Sequence, residues 1–172
     1  MGQGRALGVG LIFGAGFALC IMFGAYNFLP HWKGLGVAPE FPFLKVFLYA
    51  LVPFISLAGA SAVSRLVFRG KGQLGHDCFI AGTSLVPIGL VVLLAGVLGA
   101  GNIEVIVAFG VCALCVTILL LFAGMSRVCA ISERAATIAV PVMLLASVWF
   151  SKIIYATILK NLYTTILGKY FE

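Results

Sequence analysis

Two short clusters carry the residue types that could do chemistry. His76-Asp77-Cys78, with Cys129 on a later turn, brings together imidazole, carboxylate and thiol groups of the kind that hold metal ions. Cys112-Ala113-Leu114-Cys115 has the spacing of redox and zinc cysteine pairs. Both readings weaken when the surroundings are considered. Three ligands from two loops are too few for a closed metal site, so His76, Cys78 and Cys129 are weak metal candidates. The expected structure there is a capped, partly solvated helix start. Cys112 and Cys115 fall in the middle of an apolar run, where a thiolate has nothing to stabilise it, so the expectation is protonated thiols packed in a core. His31 lies far from His76 along the chain and on the opposite expected face. The sequence has no nucleophile elbow, phosphate loop, zinc-protease helix or paired carboxylates, and its five cysteines offer no disulfide framework. No enzymatic activity and no cofactor are expected.

The elements that must position these residues are five long apolar stretches, about 6–29, 43–68, 78–100, 103–125 and 135–158. Each is long enough for a bilayer core that takes about 20 residues to cross. Charged residues are 9% of the chain and hydrophobic ones 63%, far from the balance of a soluble domain. Backbone groups in hydrocarbon must be satisfied within a segment, and continuous apolar runs exclude a barrel of short alternating strands. The expected fold is all-α: one polytopic membrane domain of five transmembrane helices with a C-terminal amphipathic extension. The first apolar stretch is too long for a signal-peptide core and reads as a retained helix. Met1-Gly2-Gln3-Gly4-Arg5-Ala6 lacks the hydroxyl residue of a myristoylation signal.

Short loops give the orientation. A cytoplasmic N-terminus puts Arg5, Arg65, Arg69, Lys71, Arg127 and Arg134 on the cytoplasmic side and Lys33 and Lys45 opposite, with the C-terminus outside. The net charge of +6 then reflects topology and attraction to anionic headgroups, so the lipid bilayer is the expected contact and nucleic acid is not. No ionisable residue falls at the centre of a span; Lys45, Arg65, Glu104 and Lys152 all lie near span ends.

Small residues mark the faces expected to pack. Gly10, Gly14 and Ala18 form one stripe on the first helix, and Gly16, Cys20 and Gly24 a second; Ser56, Ala60 and Ser64, flanked by Gly59, form one on the second helix. Pro53, Pro87 and Pro141 are expected to kink the second, third and fifth helices. Asp77, Asn102 with Glu104, and Ser132-Glu133 suit the starts of the last three helices. Gly99-Ala100-Gly101-Asn102 makes the third and fourth helices antiparallel neighbours. After Lys152, Tyr155, Leu159, Leu162, Tyr163, Ile166 and Tyr170 share a face, which suits an interfacial helix or a straight extension of the fifth span.

From Phe43 to Ile158 the pattern resembles the Yip family of five-span membrane proteins. The resemblance rests on the basic turn Arg65-Leu66-Val67-Phe68-Arg69-Gly70-Lys71-Gly72, the mid-span Leu85-Val86-Pro87, the short hairpin to a fourth helix, and Ile131-Ser132 before the last one. The long N-terminal region and the Asp-Leu-Tyr-Gly-Pro string of eukaryotic members are absent, which points to a compact relative of prokaryotic type in the plasma (inner) membrane. The resemblance implies a non-enzymatic protein acting through other membrane proteins, itself or lipid. The expected role is a scaffold or accessory subunit of a membrane complex. The alternative is a small-solute or lipid transporter subunit with a cavity between kinked helices.

Overall fold

A computed structural model describes the backbone of residues 3–28, 43–99 and 102–170, and side chains over 4–27, 44–99 and 102–157. The connection 29–42, with His31 and Lys33, lies outside these residues, as do Ala100 and Gly101 of the hairpin and the side chains beyond 157. The chain forms helices α1 (Gln3–Phe28), α2 (Phe43–Val67), α3 (Leu74–Leu98), α4 (Ile103–Ala123) and α5 (Glu133–Tyr170), with a π-helical turn Gly124–Val128 closing α4. All five helices are long and apolar enough to cross a membrane. The protein is an integral membrane protein built as an all-α bundle.

The third span begins at Leu74, earlier than the expected Cys78. Polar Gln73 and His76 do not delay the helix; they start it. The His76 imidazole Nδ1 accepts the Gln73 N–H (3.2 Å), which is one of the amides that a helix start leaves without a backbone partner. The fifth helix continues unbroken to Tyr170. At about 1.5 Å per residue it outruns a hydrocarbon core of about 30 Å, so its last turns extend the span beyond the bilayer core.

Helix α3 is the centre of the bundle. It meets α1, α2 and α4, while α2 also meets α1 and α5. The α1–α3 seam is the closest. A Cβ built on Gly10 would lie 2.5 Å from the Cys78 carbonyl carbon, one on Gly82 2.5 Å from the Gly10 carbonyl oxygen, and one on Gly96 2.6 Å from that of Gly24. A Cβ on Gly24 would in turn strike the Val92 carbonyl, and Gly89 faces the Phe17 ring. Gly10, Phe17 and Gly24 thus face Gly82, Gly89 and Gly96 in order. The two helices run parallel, with a seven-residue repeat on each, and buried Gly75 continues the period on α3. A repeat of seven keeps one seam in register along two helices that coil gently around each other.

The small stripes divide by neighbour. Gly14 faces the Phe54 ring of α2, and Ala18 is buried. Gly16 has open space around it, so the second stripe of α1 is buried at Gly24 and open at Gly16. On α2, Ser56, Ala60 and Ser64 are buried, whereas Gly59 opens outward. Helices α2, α3 and α5 are continuous through Pro53, Pro87 and Pro141.

The expectation that Cys112 and Cys115 pack in the core is corrected. Both side chains face outward. Helix α4 lies at the bundle's edge and buries chiefly Ala113, Thr117 and Leu121, a single narrow stripe, against α3. A uniformly apolar helix gives no sequence cue to which stripe that is.

Candidate functional site

The polar centre of the protein is a knot at the end of the bundle where α2 stops, α3 starts and the α4–α5 turn folds over. Its first part is the exit of α2. The Gly70 amide donates to the Arg65 carbonyl (2.8 Å) and the Arg69 amide to that of Leu66 (3.3 Å), while Arg69 adopts a left-handed φ of 52°. This pair of bonds is the usual glycine-closed helix stop, here with arginine at the left-handed position. The turn swings back toward its own helix, and Arg65 Nη1 donates to the Gly72 carbonyl (3.2 Å).

The second part is Asp77. Its carboxylate is fully buried and accepts from Arg65 Nε (3.0 Å to Oδ2 and 3.3 Å to Oδ1) and from the Ser61 hydroxyl (3.1 Å). The Cys129 thiol lies 4.0 Å from Oδ1 and completes the ring of donors. The expectation that Asp77 caps α3 is therefore corrected: it sits inside the first turn and is spent on an interhelical ion pair. A buried carboxylate costs several kcal/mol to desolvate, and a paired cation with further hydrogen bonds offsets that cost.

The third part is the π-helical turn. The Cys129 amide donates to Gly124 (3.2 Å) and that of Ile131 to Met125 (3.2 Å), with Ala130 at a left-handed φ of 50°. The Lys71 amide donates to the Cys129 carbonyl (2.7 Å), which locks the two turns together. Burial, then the neighbouring Asp77 carboxylate, pushes the Cys129 thiol up to about 11 against an opposing pull from Arg65. Such a thiol is a hydrogen-bond donor and a poor nucleophile at neutral pH.

The knot brings Asp77 and Cys129 together but does not gather the whole candidate set. His76 is engaged at the helix start, and half-buried Cys78 has its carbonyl beneath Gly10. No group of three candidate metal ligands forms among the described residues. The chemistry at the centre of the knot is that of a fastener, with Arg65, Asp77 and Cys129 each facing another part of the same chain.

Two further polar bonds tie helices together. The Tyr155 hydroxyl on α5 donates to the Tyr49 carbonyl on α2 (2.8 Å). Tyr49 lies four residues before Pro53, whose ring nitrogen has no hydrogen to give it, so tyrosine supplies the missing donor. On α3, the Ser84 carbonyl accepts the buried Thr117 hydroxyl of α4 (2.8 Å). Ser56 differs: its hydroxyl is buried without a partner. Asn102 does not cap α4 as expected; its amide reaches back toward the Leu98 carbonyl (3.5 Å), because its backbone is not in the extended conformation a cap needs. Ser132 does serve the start of α5, accepting the Ala135 amide (3.4 Å).

Sequence reasoning missed the pairing of Arg65 with Asp77, the Tyr155–Tyr49 bond and the glycine heptad of α3. The heptad was legible, since Gly75, Gly82, Gly89 and Gly96 repeat at seven. The ion pair left a fainter signal, one arginine and one aspartate facing each other across a turn of glycines.

Comparison with known proteins returned no matching family model, no matching curated protein and no matching solved structure.

Proposed function

We propose that this protein is a non-enzymatic scaffold or accessory subunit that binds itself or a larger membrane complex. The observation that carries this reading is where the polar groups go. Asp77, Arg65, Ser61, Ser84, Thr117, Ser147 and Tyr155 spend their polar atoms on bonds within the chain. The outer faces of α4 and α5, including Phe109, Leu114, Leu119, Leu145, Trp149 and Phe150, remain large and apolar. A catalyst or ion carrier needs a polar group held for its substrate, whereas a helix-binding partner needs apolar outer surface. The resemblance to the Yip family, on the motifs quoted above, agrees with this role.

The proposed location is a prokaryotic plasma membrane with the N-terminus cytoplasmic and the C-terminus outside. Parallel α1 and α3 support this orientation, because Arg5, Arg69, Lys71, Arg127 and Arg134 then share one end of the bundle, and excess cations favour the cytoplasmic side. A single cysteine at Gln73 is expected to resist an impermeant thiol reagent applied to intact cells; its modification from outside would reverse the orientation.

A second reading, a small-solute or lipid transporter subunit, draws on Ser56, whose unpartnered hydroxyl lies on α2 just beyond Pro53. Purification in mild detergent with mass spectrometry of co-purifying proteins separates the two. A stoichiometric membrane partner or self-assembly is expected. A lone monodisperse chain whose thermal stability rises with a particular solute would favour transport and sink the scaffold role.

A further inference from the structure

We propose that the two interlocked turns, residues 65–73 and 124–134, form a binding site for the phosphate of an anionic phospholipid in the adjacent leaflet. Four cations project from these turns. Arg69, Lys71, Arg127 and Arg134 are all exposed, and none is in an ion pair among the described residues. The turns that carry them are in direct contact: Lys71 donates its amide to Cys129, and a Cβ on Gly70 would lie 2.8 Å from the Ile131 side chain. Arg69 and Lys71 flank Gly70, while Arg127 and Arg134 flank the Cys129–Ile131 segment, so all four cations are carried close along the chain to one junction.

The knot beneath prepares this surface. Asp77 is the acid that would compete for these cations, and it is buried and committed to Arg65. Glu133 is the one carboxylate left at the rim of the two turns. The bonds from Arg65 to Gly72 and from Lys71 to Cys129 fix the turns before any ligand arrives, which lowers the ordering cost of binding.

The apolar neighbours select a lipid over a soluble anion. Leu66, Val67 and Leu74 are 69%, 68% and 63% exposed and bracket the Arg69–Lys71 turn. These side chains need hydrocarbon, so the cations beside them sit at headgroup depth, where basic residues meet lipid phosphates. Among the residues whose side chains are described, the opposite end has Lys45 and Lys152 with Glu104.

The test uses the intact protein in nanodiscs holding equal phosphatidylglycerol and phosphatidylcholine, with retained lipid counted by native mass spectrometry. The wild type is expected to retain phosphatidylglycerol severalfold over phosphatidylcholine. The preference should fall toward equal retention as cations are lost, in Arg69→Gln, in Arg127→Gln and furthest in the two combined with Lys71→Gln. Lys45→Gln with Lys152→Gln should leave it intact, and so should the charge-keeping set Arg69→Lys, Lys71→Arg and Arg127→Lys. The proposal is overturned by a wild type that retains both lipids equally, by glutamine variants that keep the preference, or by equal loss from changes at the opposite end. Displacement of the lipid by millimolar inorganic phosphate, or by an acidic peptide at matched charge, would assign the cradle to a soluble anion or a protein instead. None of these readouts depends on whether the chain has a scaffold partner.

Discussion

The α1–α3 seam and the Arg65–Asp77 knot hold the same central helix by opposite means. Along the seam, glycines at a seven-residue repeat remove side chains until backbone meets backbone. Contact there is dispersion and weak Cα–H···O attraction, each small and spread over the length of the helix. At the knot, a fully buried carboxylate gathers a guanidinium, a hydroxyl and a thiol at a single point. In lipid, which offers apolar surface no reward for leaving it, close approach gives two helices a long shared surface and a charge pair fixes where several chain segments end. The seam therefore tolerates small local losses, whereas the knot fails as a unit.

That contrast is broken most directly at Asp77. Removing the carboxylate in Asp77→Ala leaves Arg65, 12% exposed, without its partner, and unfolding in detergent should become easier by roughly 3–5 kcal/mol. Arg65→Ala added to Asp77→Ala should recover part of that loss, because no uncompensated charge remains. A single variant as stable as the wild type would mean that the knot contributes nothing.

The seam gives the next largest effect. Gly82→Ala places a Cβ against the Gly10 carbonyl, where only backbone movement can make room, and should cost about 1–3 kcal/mol. Gly14→Ala meets the edge of the Phe54 ring, which can swing aside, and should cost less. Gly16→Ala faces open space and should be neutral or slightly stabilising. Thermal unfolding of the three in one detergent orders them; a loss at Gly16 equal to that at Gly82 would remove the heptad as the organising feature.

Tyr155→Phe keeps the ring and deletes the hydroxyl that donates to the Tyr49 carbonyl. The expected loss is about 1–2 kcal/mol. Restoring the backbone donor with Pro53→Ala should make the tyrosine hydroxyl dispensable, so the two changes together should cost less than their sum. Strict additivity would show that the hydroxyl does not substitute for the proline's missing hydrogen.

The smallest effect lies in the Cys129 thiol. Its folded value of about 11 exceeds the ordinary 9.0, so the unfolded chain loses this proton first. The contribution of the protonated thiol is present below pH 9 and is lost as pH rises through 9 to 11. Unfolding compared between wild type and Cys129→Ala should diverge at neutral pH and converge toward pH 11. Alkylation of Cys129 should be slow at pH 8 and should speed up in Asp77→Ala, where the lock opens.

The sequence by itself determined that this protein is a five-helix membrane bundle, because span length and the exclusion of charge are properties each segment carries alone. It also carries the glycine repeats of α1 and α3, since composition is local. Partners were decided only by tertiary structure. Gly10, Gly14 and Gly16 are the same residue in one helix, yet they meet backbone, a ring and open space, according to which neighbour lies across from them. Asp77 resembles a helix cap until Ser61, Arg65 and Cys129 arrive from other elements. Cys112 and Cys115 resemble core residues until α4 settles at the bundle's edge with that face outward. A uniformly apolar helix buries well in every direction, and only its neighbours decide which direction is inward.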